Sequence, residues 1–139
     1  MRRFLTASHG PLAGAILESA ALVAGRDGVA DVAFFGVEGD DSRETIKQKL
    51  SKLLTPWEGD EILVLTDIAG GNITNILVEY LAEYDLHIIA GMNLGMVLEL
   101  MMSEESTPLD ELIEVLEELG RMGVRYINRE IRKAKEGEL

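Results

Sequence analysis

Glu61-Ile62-Leu63-Val64-Leu65-Thr66-Asp67-Ile68-Ala69-Gly70-Gly71-Asn72 decides how this chain folds. Ile62 to Thr66 is a continuous apolar run without alternation, the pattern of a strand buried on both faces of a parallel sheet. Such a strand needs helices on both sides, and the aspartate, glycines and asparagine after it supply a break from which a helix can start. The same layout occurs near the start of the chain. Phe4–Ser8 reads as a strand, His9 ends it, and Gly10-Pro11 opens a helix, proline being tolerated at the first helical position. Leu12, Ile16, Leu17, Ala20, Val23 and Ala24 then follow the spacing of a core-facing helical stripe.

The remaining segments alternate in the same way. Ala30–Phe35 reads as a second strand, and Ser42 caps a helix whose stripe is Ile46, Leu50, Leu53 and Leu54. Pro56 and Gly59 break the chain before the central strand. After it, a helix is expected from Asn72 to Tyr84 with Ile76, Leu77, Tyr80 and Leu81 inward, then a strand over Leu86–Ala90. Leu94–Met102 reads as a helix that is apolar nearly all round, which places it deep in the core or at a subunit interface. Thr107-Pro108 introduces a helix over Leu109–Gly120. In Gly123–Asn128, Val124, Tyr126 and Ile127 favour a strand, whereas Arg129–Leu139 is charged and either frays or forms a surface helix.

Four strands alternating with helices define an α/β fold, with an open, mainly parallel sheet and helices on both faces. In the order 2-1-3-4, the first and third strands are neighbours. His9 and Asp67 then meet at the carboxyl ends of those strands, at the switch point where ligands bind in such sheets.

Bulk properties narrow the function. The chain has 139 residues and a net charge of −12, from 13 basic and 25 acidic residues. One domain is expected, and nucleic acid, which this charge would repel, is not an expected partner. The absence of cysteine excludes disulfides and thiolate metal sites and is compatible with a reducing cytoplasm. Met1-Arg2-Arg3-Phe4 is basic but no clean apolar core follows, so a signal peptide is not expected. The most apolar stretch, Leu86 to Met102, contains His87, Asn93 and Glu99 and is too short and polar to span a membrane.

His9 is one of two histidines. A carboxylate bonded to one ring nitrogen fixes the imidazole tautomer and leaves the other nitrogen with its lone pair outward, ready for general-base work or for attack on phosphorus. The helix starts after His9 and after Gly70-Gly71-Asn72 favour phosphorus, because unpaired N–H groups at helix N-termini bind anions. Leu12 and Ala13 offer such groups on one side, with Gly70, Gly71 and Asn72 on the other. Taken singly, each residue also has a bland reading, as a cap, a turn former or a surface histidine. His87, beside Asp85, is expected to be structural or on the surface. Neither Gly-x-x-x-x-Gly-Lys nor Gly-x-Gly-x-x-Gly is present, and the ligand supply is too small for zinc.

These residues resemble the IIA component of the mannose-type sugar phosphotransferase system, a family with fructose-, sorbose- and amino-sugar-type members. The resemblance rests on Ser8-His9-Gly10, on Leu65 through Asn75, on Ile89-Ala90-Gly91-Met92-Asn93-Leu94-Gly95-Met96 and on Gly120-Arg121-Met122-Gly123-Val124. It covers about residues 3–128 and implies a domain over 1–128 followed by a charged tail, 129–139. It also implies a cytoplasmic phosphotransferase working through a phosphohistidine. His9 accepts a phosphoryl group on Nε2 from the phosphocarrier protein HPr and passes it to a IIB component for sugar uptake and phosphorylation. Asp67 holds Nδ1, and N–H groups around Gly70, Gly71 and Asn72 bind the phosphoryl oxygens, with neither cofactor nor metal. The family forms homodimers by exchanging a C-terminal antiparallel strand, which makes Gly123–Asn128 that strand and sets Leu94–Met102 at the interface. Many members carry an aromatic residue and then Gly-Gly-Ser-Pro after the aspartate. Here Ala69-Gly70-Gly71-Asn72-Ile73 stands instead, with Asn72 expected to donate a hydrogen bond and cap its helix. Two other roles suit the same residues: a phosphotransfer subunit serving dihydroxyacetone kinase, and a non-catalytic regulatory or dimerisation module.

Overall fold

Ile62 and Val64 pack into one buried cluster and Leu63 and Leu65 into another, so β3 carries a core on each face. The computed structural model describes residues 1–137, and the last two positions of the charged tail lie outside the described residues. The chain runs β1 (Arg2–His9), α1 (Leu12–Ala24), α2 (Arg26–Val29), β2 (Val32–Val37), α3 (Arg43–Leu54), β3 (Glu61–Thr66), α4 (Asn72–Val78), β4 (Asp85–Ala90), α5 (Leu94–Met102), α6 (Leu109–Met122) and α7 (Ile127–Gly137), with a 3₁₀ turn at Thr55–Trp57.

The four strands pair in the order β2-β1-β3-β4, all parallel, as the alternation of elements predicts. Ala7 lies opposite Thr66 and His9 opposite Val37, which brings the ends of β1, β2 and β3 to one edge. Ile46, Leu50 and Leu54 of α3 and Ile73, Ile76 and Leu77 of α4 cover one face of the sheet. Ile16, Leu17 and Ala20 of α1, Met96, Val97 and Leu100 of α5, and Leu112 and Leu116 of α6 cover the other. A buried leucine or isoleucine contributes roughly 1.5–3 kcal/mol relative to an exposed one, so these layers rather than helix propensity hold the elements in place. Ser42 caps α3 as expected, its Oγ accepting the Thr45 N–H at 3.1 Å.

Two expectations need correction. The helix starting at Asn72 ends at Val78, because Glu79, Tyr80 and Leu81 bond to carbonyls three residues back and the segment continues as tight turns. Tyr80 nevertheless stays buried, its hydroxyl donating to the Lys47 carbonyl at 3.0 Å. Gly123–Asn128 is not a strand: Gly123 caps α6, bonding to the Leu119 carbonyl at 3.0 Å, and Ile127 already begins α7. Strand preference is realised only where a sheet edge supplies a hydrogen-bond ladder, and among the described residues no strand of this chain pairs with the segment. The run Arg129-Glu130-Ile131-Arg132-Lys133-Ala134-Lys135-Glu136 is rich in good helix formers and takes the chain into α7. The expected burial of α5 holds, with Met96, Val97 and Leu100 in the core and its Met102 end strongly exposed.

Candidate functional site

β1 ends with His9, and Asp67 directly follows β3 on the neighbouring strand. His9 Nδ1 lies 2.7 Å from Asp67 Oδ2, and the same oxygen accepts the His9 backbone N–H at 2.8 Å. Asp67 Oδ1 accepts the Ile68 N–H at 2.9 Å. An ionised carboxylate only accepts, so Nδ1 carries a proton and, in the neutral ring, Nε2 bears the lone pair. The His9 side chain is 48% exposed while that of Asp67 is 8% exposed, so the imidazole is reachable from solvent and its orienting partner is sheltered. Burial pushes the Asp67 carboxyl up, but the hydrogen bonds from the His9 backbone, the imidazole and the Ile68 N–H outweigh it and hold the group below its ordinary 3.8.

The loop after Asp67 is a turn closed by the Gly71 N–H on the Ile68 carbonyl at 3.1 Å, with Gly70 at φ 77° where a side chain would be strained. Gly71 stands against the imidazole: a Cβ there would lie 3.2 Å from His9 Cε1 and 3.1 Å from the Ile68 oxygen. Gly71 is expected as an anion donor and Asn72 as a cap; in the structure the Gly71 N–H already has a partner inside the turn and the cap of α4 is Gly71 itself. Asn72 is already the first helical residue, and the Asn75 N–H bonds to the Gly71 carbonyl. The Asn72 side chain has no hydrogen-bond partner among the described residues, nor do the N–H groups of Gly70 and Asn72. Those two backbone donors remain for an anion.

On the β1 side, the Ala13 N–H is likewise unavailable. It donates to the buried Ser8 Oγ at 2.7 Å, leaving Leu12 as the first unpaired donor of α1. Ser8 was missed in the sequence reading, as were Thr66 and Thr74, whose hydroxyls meet beneath the loop at 2.8 Å. Hydroxyl residues near the ends of apolar strands were the available signal for Ser8 and Thr66, while Thr74 lies inside α4 and carried none. Glu38, Asp40 and Asp41 follow β2 at the same end of the sheet, with their carboxylates within 4.8 Å of one another. His87 pairs with Asp85 on β4 at 2.9 Å, a local contact away from the His9–Asp67 pair.

The chain is thus an open parallel α/β protein with a carboxylate-oriented histidine at the switch point of its sheet, the place where such sheets bind ligands. Residues 3–117 match the family model described as EIIA-man, PTS system fructose IIA component. The chain therefore belongs to the mannose-type EIIA family and is a component of a sugar phosphotransferase system. It is 30% identical over 79% of its length to the sorbose-specific EIIA component of Klebsiella pneumoniae, covering 80% of that protein. It is 28% identical to the fructose-specific EIIA component of Bacillus subtilis, over 94% of the chain and 90% of the relative. Among solved structures, the mannose/sorbose specific IIA subunit from Enterococcus faecalis superimposes with a TM-score of 0.82 at 30% identity, covering 91% of this chain and 95% of that one.

Proposed function

We propose that this protein is a phosphohistidine carrier in which His9 takes a phosphoryl group from phospho-HPr and hands it to a IIB component, for sugar uptake and phosphorylation. The observation that carries this reading is the 2.7 Å contact between His9 Nδ1 and Asp67 Oδ2, which leaves Nε2 of a half-exposed imidazole free to attack. In the transfer, the Nε2 lone pair forms the new N–P bond as the donor's own bond to phosphorus breaks, and its electron pair returns to the donor. The imidazole gains positive charge, which the Asp67 carboxylate stabilises. The Gly70, Asn72 and Leu12 N–H groups bind the phosphoryl oxygens; the donors named by the resemblance are thereby narrowed by one, Gly71. Leu12 and Ile68, both exposed apolar residues next to the site, support docking of a protein rather than a small molecule. The carboxylates of Glu38, Asp40 and Asp41 support a partner with a basic face.

A cytoplasmic location fits this role. Among the described residues no helix is long and apolar enough to cross a membrane. A homodimer also belongs to the reading, supported by the exposed Met122, Val124, Tyr126, Ile127 and Ile131 around the start of α7. Incubation with phosphoenolpyruvate, enzyme I and HPr tests the carrier role. Label is expected on the wild type and absent from His9→Ala; an unlabelled wild type, or label that persists in His9→Ala, overturns it.

A further inference from the structure

The Thr74 hydroxyl touches the residue before Asp67 and the residue after it. Its Oγ1 lies 2.8 Å from Thr66 Oγ1 and 2.8 Å from the Ile68 carbonyl oxygen. The Thr74 hydroxyl is the donor in both contacts, so its single proton is shared between the Thr66 hydroxyl oxygen and the Ile68 carbonyl. Thr66 is fully buried and Thr74 is 8% exposed, so little water reaches the relay to replace it. An early-helix threonine that merely capped its helix would accept an N–H of the helix itself. Thr74 instead points out of α4 to β3 and to the turn.

We propose that Thr74 is a positioning residue for the phosphoryl acceptor, locking the Asp67 carboxylate and the Gly70–Asn72 donors into one rigid unit through the Thr66–Thr74–Ile68 hydrogen-bond relay. The inference rests on the carrier reading of His9. Thr66 ends β3 and its carbonyl accepts the N–H groups of Gly91 and Met92, at 3.0 and 2.9 Å, so that end of the relay is anchored in the sheet. The Ile68 carbonyl also accepts the Gly71 N–H, so the other end is the turn that carries Gly70 and stands against the imidazole. Asp67 lies between the two anchors. Its Oδ2 receives both His9 donors, and its position therefore sets the direction of Nε2. Removing the Thr74 hydroxyl frees the turn to shift against the strand, and misplacing an attacking atom by about 1 Å can cost around 10²-fold in rate.

The test compares Thr74→Val, which removes the hydroxyl at nearly constant shape, with Thr74→Ser, which keeps it. Two readouts are taken: the rate of phosphorylation by phospho-HPr, and the nitrogen-15 spectrum of the unphosphorylated imidazole with the exchange protection of its Nδ1 proton. Thr74→Val is expected to transfer roughly tenfold to a hundredfold more slowly and to lose the protected Nδ1 proton, while its amide signals in β2 and α3 stay native; Thr74→Ser is expected to restore both. Wild-type rate and an unchanged imidazole spectrum in Thr74→Val overturn the proposal. If Thr74→Val does not fold, Thr66→Val breaks the relay from the other side, and an unchanged imidazole spectrum there overturns it equally. The imidazole spectrum needs no phosphate, so a wild type that takes no label counts against the carrier reading while Thr74 is still judged on its own.

Discussion

Asp67 Oδ2 receives two hydrogen bonds from a single residue, the His9 backbone N–H at 2.8 Å and the His9 imidazole at 2.7 Å. One carboxylate oxygen thus fixes both where the end of β1 lies and which nitrogen of its last residue keeps the proton. The backbone bond fixes the carboxylate oxygen against the end of β1, so the acceptor that orients the ring does not move when the ring does.

Asp67→Asn removes the negative charge that stabilises the imidazole as it becomes positive and weakens the control of tautomer. Phosphorylation by phospho-HPr is expected to slow by about 10²-fold or more, the range for losing an acid–base partner. Rapid-quench measurement of label on the protein checks this, and a rate within a factor of three of wild type rejects a role for the charge.

The same carboxylate gives a pH dependence with a defined sign. Hydrogen bonds lower its folded pKa beneath the ordinary 3.8, so the native state binds fewer protons than the unfolded one around that pH. The stabilisation is fully present above the unfolded pKa and is lost as pH falls through the folded one. Urea midpoints for wild type and Asp67→Asn should therefore differ most near neutral pH and converge as the solution is taken below about pH 4.

Gly71→Ala puts a methyl group 3.2 Å from His9 Cε1 and 3.1 Å from the Ile68 oxygen. The backbone at this position, φ −69° and ψ 161°, suits any residue, so the effect is crowding rather than backbone strain. Overpacking of this kind costs about 1–3 kcal/mol, and the displaced ring should appear as altered imidazole chemical shifts and slower phosphorylation.

Ser8→Ala leaves the buried N–H of Ala13 without the acceptor that now sits 2.7 Å away. A loss of about 1–2 kcal/mol in unfolding free energy is expected, as for other missing helix caps. Equilibrium urea unfolding measures it, and a variant as stable as wild type would show that water replaces the hydroxyl.

Asn72→Ala tests the corrected cap. Gly71, not Asn72, occupies the N-cap of α4, and the Asn72 amide has no partner among the described residues. Stability should change by less than about 0.5 kcal/mol, whereas a fall in phosphorylation rate would show the amide touching the phosphoryl group.

Much of this arrangement was written in the order of residues. The unalternating run Ile62–Thr66 requires cover on both faces, which makes the sheet parallel and the connections helical. The periodic stripes of α1, α3 and α6 say which sides face inward. A histidine and an aspartate that both end strands, one followed by Gly10 and the other by Gly70-Gly71, mark the switch point. These features are local or periodic, so composition and spacing carry them.

What only the tertiary structure decided depends on which groups meet across the fold. Residues 124–128 have strand-like side chains, yet they reach no ladder and pass into α7, since strand preference has no force without a paired edge. The Ala13 and Gly71 N–H groups look free in the sequence, but Ser8 and Ile68 take them, leaving the N–H groups of Gly70, Asn72 and Leu12 without a partner among the described residues. The contact between Thr66 and Thr74 joins residues eight apart through a turn whose geometry depends on Gly70. Hydrogen bonds are satisfied by whatever partner the folded chain brings within about 3 Å. The meeting of His9 and Asp67 was thus legible from the chain, while the pairing of the N–H groups and hydroxyls around them depended on packing.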